Sequence, residues 1–376
     1  MKIGIAAILG TLGGPRTYAR SLVEALGRVD DRNEYWVFTD QPDAVPQQEG
    51  VHPVHVPLGN RYAQPLWDHV RLPQALARFD LDLLHHTKAA LPLGLRVPSV
   101  VAVYDAAPFL HARSFTRVQG IHHRGHIRDA ARRATRLVTI SEEARGDLAR
   151  ALPLDRQRIT VVPPGSAGVP LGSAAARGSR ASTELLARHG ITGPFVLALG
   201  TVQPRKDLGT VVRAFLRMRE RSGLAHQLVV AGRAGWGDGT LERLCASADD
   251  RSAIVSTGAL ADGEVAALFG SASVAVNASL YEGFGLAVLE ALAHGVPLVS
   301  TDVPALSGAP DDAFLRVTPG DVGGLSCAIE RLLGDPSLGA RLVASGRRHA
   351  ARFSWDDTAR ATLAVYREAL EERRRF

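Results

Sequence analysis

Phe195-Val196-Leu197-Ala198-Leu199-Gly200-Thr201-Val202-Gln203-Pro204-Arg205-Lys206-Asp207-Leu208 runs from five apolar residues through a glycine and a polar turn into an amphipathic stretch. The reading is a strand at 195–200 and a helix at 206–221, joined by a turn. The same alternation continues downstream, with strands expected at 227–231, 253–257, 273–277 and 297–301. Helices are expected at 240–248, 262–271, 286–294, 321–334, 336–352 and 355–375. Upstream, strands are expected at 2–9, 35–39, 81–85, 98–104, 136–140 and 159–162. The helices between them fall at 16–28, 65–79 and 116–134, and a further one follows Ser141, an N-cap with Glu142 and Glu143 in the first turn. Strands alternating with helices of this length imply parallel sheets covered on both faces, a doubly wound α/β class. Pro163-Pro164-Gly165 breaks the pattern, and residues 165–182 are rich in Gly, Ala, Ser and Pro with no apolar period. Two domains follow, 1–170 and 191–354, with a linker at 171–190 and a last helix at 355–376 crossing back to the N-terminal domain. Ligands of such sheets bind at the carboxyl ends of the strands, so two facing domains would hold them in a cleft.

The composition fits. A chain of 376 residues makes about two domains at about 150 residues each. With 46% apolar and 22% charged residues it is an ordinary globular chain. The net charge of +6 is spread out and only 6% of residues are aromatic, which gives no sign of a nucleic-acid partner. Cys245 and Cys327 lack metal or redox spacing and are expected as buried thiols in a reducing compartment. Met1 to Leu9 reads as a first strand rather than a signal peptide. No run approaches the about 18 apolar residues of a membrane span. Of 44 cationic residues only Lys2, Lys88 and Lys206 are lysine.

Lys206 lies in the opening segment. A helix start beside an Arg-Lys pair suits a diphosphate: free N–H groups and the dipole attract the anion, Arg offers a fork, and Lys a compact charge. The plain alternative is a solvated helix start. A second segment, Tyr281-Glu282-Gly283-Phe284-Gly285-Leu286-Ala287-Val288-Leu289-Glu290, also leads from a strand into a helix. Its glycines let backbone approach a ligand. A carboxylate placed like Glu290, about a turn into the helix, can hold the two hydroxyls of a ribose. Capping and solvated-face roles are the alternative.

Together, Gly-Thr-x-x-Pro-Arg-Lys-Asp-Leu and Glu-Gly-Phe-Gly-Leu-x-x-Leu-Glu-Ala resemble the motifs of the retaining glycosyltransferases of family 4, which have the GT-B fold of two Rossmann-like domains. Leu228–Trp236, Thr257–Val265, Gly13-Gly14, Ile140-Ser141-Glu142 and Val162–Gly165 extend the resemblance over nearly the whole chain. The resemblance implies a nucleotide-diphosphate sugar as donor and a hydroxyl-bearing acceptor, with no cofactor and no metal. Arg205 and Lys206 would neutralise the diphosphate and Glu290 would hold the ribose. Glu282, Gly283 and the backbone of Phe284, Gly285 and Leu286 would meet the sugar and distal phosphate. Gly14 would let the N-terminal loop close on the phosphates, and Gly232 and Leu260 would lie beside the donor. Retention of configuration is implied, with the leaving phosphate acting as base. Two departures stand out. Tyr104-Asp105 occupies the place of the family's His-Asp, and tyrosine stays neutral at pH 7. Either Tyr104 replaces the histidine's contact or it fills the pocket. Ser307 stands where a Glu is common. Lys88 and His85, at a strand's carboxyl end, are the acceptor candidates.

A dehydrogenase would use Gly10-Thr11-Leu12-Gly13-Gly14 and Asp40, but the glycine spacing is wrong. A sugar-nucleotide 2-epimerase shares the architecture without the motif pair. A non-catalytic sugar-nucleotide binder is the rival from another class. His85-His86, His122-His123 and His126 lack an accompanying ligand set, so no metal is expected. The Arg-rich run 116–136 is either an exposed charged face or a dock for an anionic membrane surface. The expected location is the cytoplasm, with peripheral contact at the inner membrane face under the second reading.

Overall fold

The computed structural model describes all residues except 11–12, 60–62, 167–179, 236–238, 240–242, 244–250 and 374–376. The chain divides into two compact units, Met1–Gly165 with Ser354–Phe376, and Ser166–Phe353.

The first unit has seven strands: β1 Lys2–Ala6, β2 Glu34–Thr39, β3 Val51–His55, β4 Leu83–His86, β5 Ser99–Ala102, β6 Arg136–Thr139 and β7 Ile159–Val161. They pair in parallel in the order β3-β2-β1-β4-β5-β6-β7. Ile3 and Ile5 pack on one face with Tyr18, Leu22 and Leu26 of the helix Gly14–Val29. Ala6 joins Phe38, Trp67 and Leu72 in a separate core. Both faces being covered, every β1 position after Lys2 is buried, and the strand reads as a continuous apolar run.

The helix Trp355–Arg373 belongs to this unit. Ala359, Val365 and Tyr366 enter the same core as Ile3. The Tyr366 hydroxyl lies 2.7 Å from His85 Nδ1, and Arg136 Nη2 pairs with Glu372 at 2.7 Å. His85 Nε2 is buried without a partner. Removing the Tyr366 hydroxyl would leave both ring nitrogens unsatisfied, which costs about 1–3 kcal/mol. Tyr366→Phe is therefore expected to lower the urea midpoint of unfolding, with no change in slope. An unchanged midpoint would show that the buried pair contributes nothing.

The second unit repeats the plan with β8 Phe195–Leu199, β9 Gln227–Ala231, β10 Ile254–Gly258, β11 Val274–Asn277, β12 Leu298–Ser300 and β13 Leu315–Arg316. Their order is β10-β9-β8-β11-β12-β13, all parallel. Val211, Phe215 and Met218 of the helix Leu208–Ser222 pack with Val196, Ala198 and Ile329 beneath the sheet.

Several expectations change. β3 was not anticipated because Pro53 interrupts it; β3 is an edge strand, where the missing N–H is tolerated. The linker expected at 171–190 is in part a helix, Arg180–Arg188. Leu185 is its buried anchor, and Arg188 pairs with Glu264 of the helix Asp262–Ser271 at 2.9 Å. The rest of that linker, up to residue 179, lies outside the described residues. So do Cys245 and, apart from Arg243, the helix expected at 240–248. Cys327, expected to be buried, is exposed, because its place on the helix Val322–Gly334 turns it toward Arg221, 3.5 Å away.

Candidate active site

In each sheet the strand order reverses beside its first strand, between β1 and β4 and between β8 and β11. Ligands of doubly wound sheets bind at the carboxyl ends of strands flanking such a point. The two motifs singled out in the sequence are the segments that follow β8 and β11.

After β8 the chain runs against the loop after β9. Gly200 N–H donates to Ala231 O at 2.8 Å and Val202 N–H to Arg233 O at 3.1 Å. Gly232, at φ +147°, stands so close that a Cβ there would lie 2.1 Å from Gly200 O. Gly232 thus serves contact between loops, and its own N–H donates to Gly258 O at 2.9 Å. Leu260, half-buried, follows between β10 and the helix Asp262–Ser271.

Pro204–Lys206 forms a single tight turn, and Asp207 takes the left-handed conformation at φ 45°, alone among the described non-glycine residues. Its carboxylate accepts from Thr210 N–H at 3.3 Å and caps the helix. The helix therefore starts at Leu208, not 206. Arg205 and Lys206 lie in the turn before it rather than in its first turn.

The loop after β11 closes on that turn. Leu280 N–H donates to Arg205 O at 2.8 Å, and Arg205 Nη1 donates to Tyr281 O at 2.9 Å. Glu282 receives Arg205 Nη1 at 2.6 Å on Oε2. On Oε1 it receives Lys206 Nζ, with Ser279 Oγ 2.8 Å away. The carboxylate is nearly buried, at 7% side-chain exposure, while Arg205 and Lys206 keep 17% and 13%. Burial alone would raise the Glu282 pKa; Lys206 and Arg205 overcome it and hold the carboxyl down at about 2. Three of its about four lone-pair directions are taken.

Gly283 and Phe284 are buried next, the Phe284 ring packing edge-to-face on Phe353 with centroids 5.5 Å apart. Gly285, at φ +106°, caps the helix Leu286–His294; a Cβ there would meet Val303 Cγ2 at 2.9 Å. Val288 and Leu289 N–H donate back to Gly285 O at 3.0 and 3.1 Å, and the N–H groups of Gly285, Leu286 and Ala287 before them form the helix's positive end. Glu290 is half-buried in the second turn. A pocket between the ends of β8 and β11 is lined by Gly200, Lys206, Val276 and Asn277. The structure thus brings Arg205, Lys206 and Glu282 into direct contact, with residues 283–286 and Glu290 on the element that follows.

The first-unit candidates fare differently. Gly14 is the exposed first residue of its helix. The Tyr104 hydroxyl donates to Thr87 O, and its ring packs edge-to-face on Tyr18, centroids 5.2 Å apart. Burial pushes its pKa well up. The tyrosine fills space and ties β4 to β5. Asp105 accepts from Ala107 N–H at 2.9 Å at the start of a short helix, Ala107–Leu110. His85 is fully buried against the last helix, with its pKa pushed down to about 3 by burial, so it cannot reach an acceptor. Lys88 is half-buried, and its N–H donates to His86 Nδ1 at 3.2 Å. Asp40 accepts from Leu9 N–H at 2.8 Å and Gly10 N–H at 3.1 Å, so it fastens the β1 loop rather than awaiting a ribose. Ser307 is exposed after the turn Pro304–Leu306. Among the described residues no three His, Cys, Asp or Glu are grouped as a metal site.

Sequence reasoning missed Ser279, Asp207 and the buried pair of Asp68 and His86, 3.1 Å apart. Asp207 precedes an apolar-periodic run, so its capping role could have been found. Nothing local marks the other contacts.

Two family models match the chain, Glycosyltransferase Family 4 over residues 12–166 and Glycosyl transferases group 1 over residues 193–335. The MMP alpha-(1->4)-mannosyltransferase of Mycolicibacterium hassiacum is 33% identical over 64% of this chain and 56% of its own length. A D-inositol 3-phosphate glycosyltransferase of Salinispora arenicola is 34% identical over 63% of this chain and 55% of its own. The chain spans about half the length of these curated relatives. In fold, the Anabaena protein HepE, solved in complex with UDP-glucose, matches with a TM-score of 0.74 at 15% identity, over 98% of this chain and 100% of that one. Two doubly wound units, the two motif loops at the switch point of the second, and two family models that together take in most of the sequence lead to one assignment: the chain belongs to glycosyltransferase family 4, among the glycosyl transferases group 1, with the GT-B fold.

Proposed function

We propose that the chain is a retaining glycosyltransferase that moves a hexose from a nucleotide-diphosphate sugar to an acceptor hydroxyl. The observation that carries this reading is the clasp of Arg205 and Lys206 by Glu282 beside the helix Leu286–His294. Two cations and a helix N-terminus at one switch point suit a diphosphate leaving group. Arg205 and Lys206 neutralise its charge without a metal. The N–H groups of Phe284, Gly285 and Leu286 meet the distal phosphate, and Glu290 accepts from the ribose. Glu282 sets the two cations in place and has one acceptor direction left for a sugar hydroxyl. The departing phosphate oxygen takes the acceptor proton, with donor and acceptor on the same face. Lys88 is the acceptor-side candidate in the first unit. Tyr104 binds no donor in this reading, since its hydroxyl is spent on Thr87. Mannosyl transfer in one relative and the UDP-glucose held by HepE support a hexose donor.

A thermal-shift series with UDP, GDP, dTDP and ADP tests the donor site. One diphosphate should raise Tm, by more the tighter it binds, with about 2.7 kcal/mol of stabilisation at a hundred times Kd. The preferred nucleotide's sugar conjugates should then release nucleotide diphosphate on adding acceptors. Binding with no release from any donor would leave the non-catalytic reading instead. Among the described residues no helix is long and apolar enough to cross a membrane.

A further inference from the structure

Asn277 ends β11 and Ser300 ends β12, and the two stand opposite each other where these strands pair. Ser279 follows in the loop that carries Glu282. A run of side-chain hydrogen bonds joins all four. The Ser300 hydroxyl donates to Thr301 O at 2.6 Å, so its oxygen is left to accept. It accepts from Asn277 Nδ2 at 3.0 Å, which turns the amide oxygen toward Ser279. Ser279 Oγ lies 2.7 Å from that oxygen and 2.8 Å from Glu282 Oε1. Ser279 is 2% exposed and Ser300 0%. Thr301 Oγ1 donates to Ser279 O at 2.8 Å and pins the backbone there.

The protons and acceptors do not match in number. Ser279 has one hydroxyl proton and two acceptors within bonding distance. Rotation about its Cβ–Oγ bond carries the proton from one to the other, and no heavy atom has to shift. The strands do not need this arrangement. Backbone bonds already join β11 to the β12 segment, Ala275 N–H to Pro297 O at 2.8 Å and Thr301 N–H to Asn277 O at 3.0 Å. With the site free, the carboxylate is the stronger acceptor and holds the proton. A hydroxyl arriving at Glu282 Oε1 displaces it toward Asn277 Oδ1, so no buried donor is left unbonded. Among the described residues Oε2 accepts from Arg205 alone, and Oε1 then keeps Lys206 alone. Each carboxylate oxygen holds one cation and offers one lone-pair direction.

We propose that Ser279 and Asn277 form a hydrogen-bond switch that sets donor specificity: turning the Ser279 proton to Asn277 frees Glu282 to hold two neighbouring hydroxyls of the donor sugar. The switch rests on the donor-site reading given under the proposed function. Both are positioning residues that act through Glu282. The donor class is a sugar with an intact pair of adjacent hydroxyls facing the carboxylate, and a deoxysugar lacking either one fits poorly.

Calorimetric affinities for UDP, UDP-glucose, GDP and GDP-mannose decide, using the nucleotide that wild type binds. Asn277→Leu keeps the volume and removes the second acceptor. It should weaken binding of the nucleotide sugar about tenfold and change the nucleoside diphosphate alone by less than about twofold. Ser279→Ala has no proton to move and should bind the nucleotide sugar within about twofold of wild type. In that background Asn277→Leu should have no further effect. A buried serine bond with a purely structural role behaves otherwise. Ser345→Ala, which removes the donor to Asp312 Oδ1 at 2.6 Å, should lower the urea midpoint and leave both affinities unchanged. Should Asn277→Leu fail to fold, Ser300→Ala takes its place: the amide loses its anchor, and the sugar-specific loss should be about threefold. Among the 2-, 3- and 4-deoxy conjugates, two neighbouring positions should bind about tenfold more weakly in wild type. Additive losses in the double variant, equal losses of nucleotide and nucleotide sugar, or no neighbouring pair of sensitive positions would each overturn the switch and leave the donor site standing. A wild type that binds none of the four ligands would overturn the donor-site reading and the switch with it.

Discussion

Glu282→Gln should destabilise the second unit by about 3–5 kcal/mol at neutral pH and remove most of the nucleotide-induced rise in Tm. The carboxylate is buried, and both of its strong donors are cations that reach it from one turn. Glutamine keeps the volume and loses the charge, so Arg205 and Lys206 face each other without their common counter-ion. Their mutual repulsion then drives them apart, and the diphosphate loses a pre-formed receptor. The pH dependence has a definite sign. The Glu282 pKa is lowered in the fold, from 4.5 to about 2. Its contribution is therefore fully present above the unfolded value and lost as pH falls through the interval from 4.5 to about 2. A shift of that size corresponds to about 3 kcal/mol. Urea midpoints of wild type and variant should differ most at neutral pH and converge in acid. A gap that stays constant down to acid pH would mean that packing, not charge, accounts for the loss.

What could be read from the sequence follows the range of the interactions. The two sheets were legible because β1, β5, β8 and β9 are buried on both faces and leave unbroken apolar runs. β3 was not, since Pro53 and two histidines hide an edge strand. The motif loops were legible as glycine-bearing turns after strands, but the details that matter chemically were not. Asp207 moves the helix start by two residues, so the dipole of Leu208–Ser222 does not lie directly under Lys206. The Glu282 clasp joins residues 76 and 77 positions apart. His85 illustrates the same limit in the other direction. Its place at the end of β4 made it a plausible acceptor contact, and a tyrosine 281 positions later in the chain buries it. Tyr104 reads as a substituted sugar contact until its hydroxyl is found on Thr87, which no local pattern announces.

Lys206→Ala should cut turnover by about 10²–10³ while leaving the protein folded, the range seen when one preorganised charge partner is removed from a reacting oxyanion. The fold should tolerate it because Glu282 keeps Arg205 at 2.6 Å and Ser279 at 2.8 Å. The loss should fall mainly on kcat, since charge on the leaving diphosphate grows as the glycosidic bond breaks, and interactions strongest at that stage govern the chemical step. Lys206→Arg is the sharper variant. It preserves the charge and can still pair with Glu282, so stability should return to near wild type. Turnover should not return, because the lysine stem runs over Gly200, with Cε 3.1 Å from where a Cβ would stand, and a planar guanidinium is wider than an ammonium at that crossing. In a chain with 44 cationic residues and three lysines, arginine is the default cation, and lysine at this turn is the exception that the close passage explains. Full activity in the arginine variant would show that any positive charge suffices, and would remove the steric part of the account while leaving the electrostatic part. Near-normal turnover in the alanine variant would remove Lys206 from the donor site altogether.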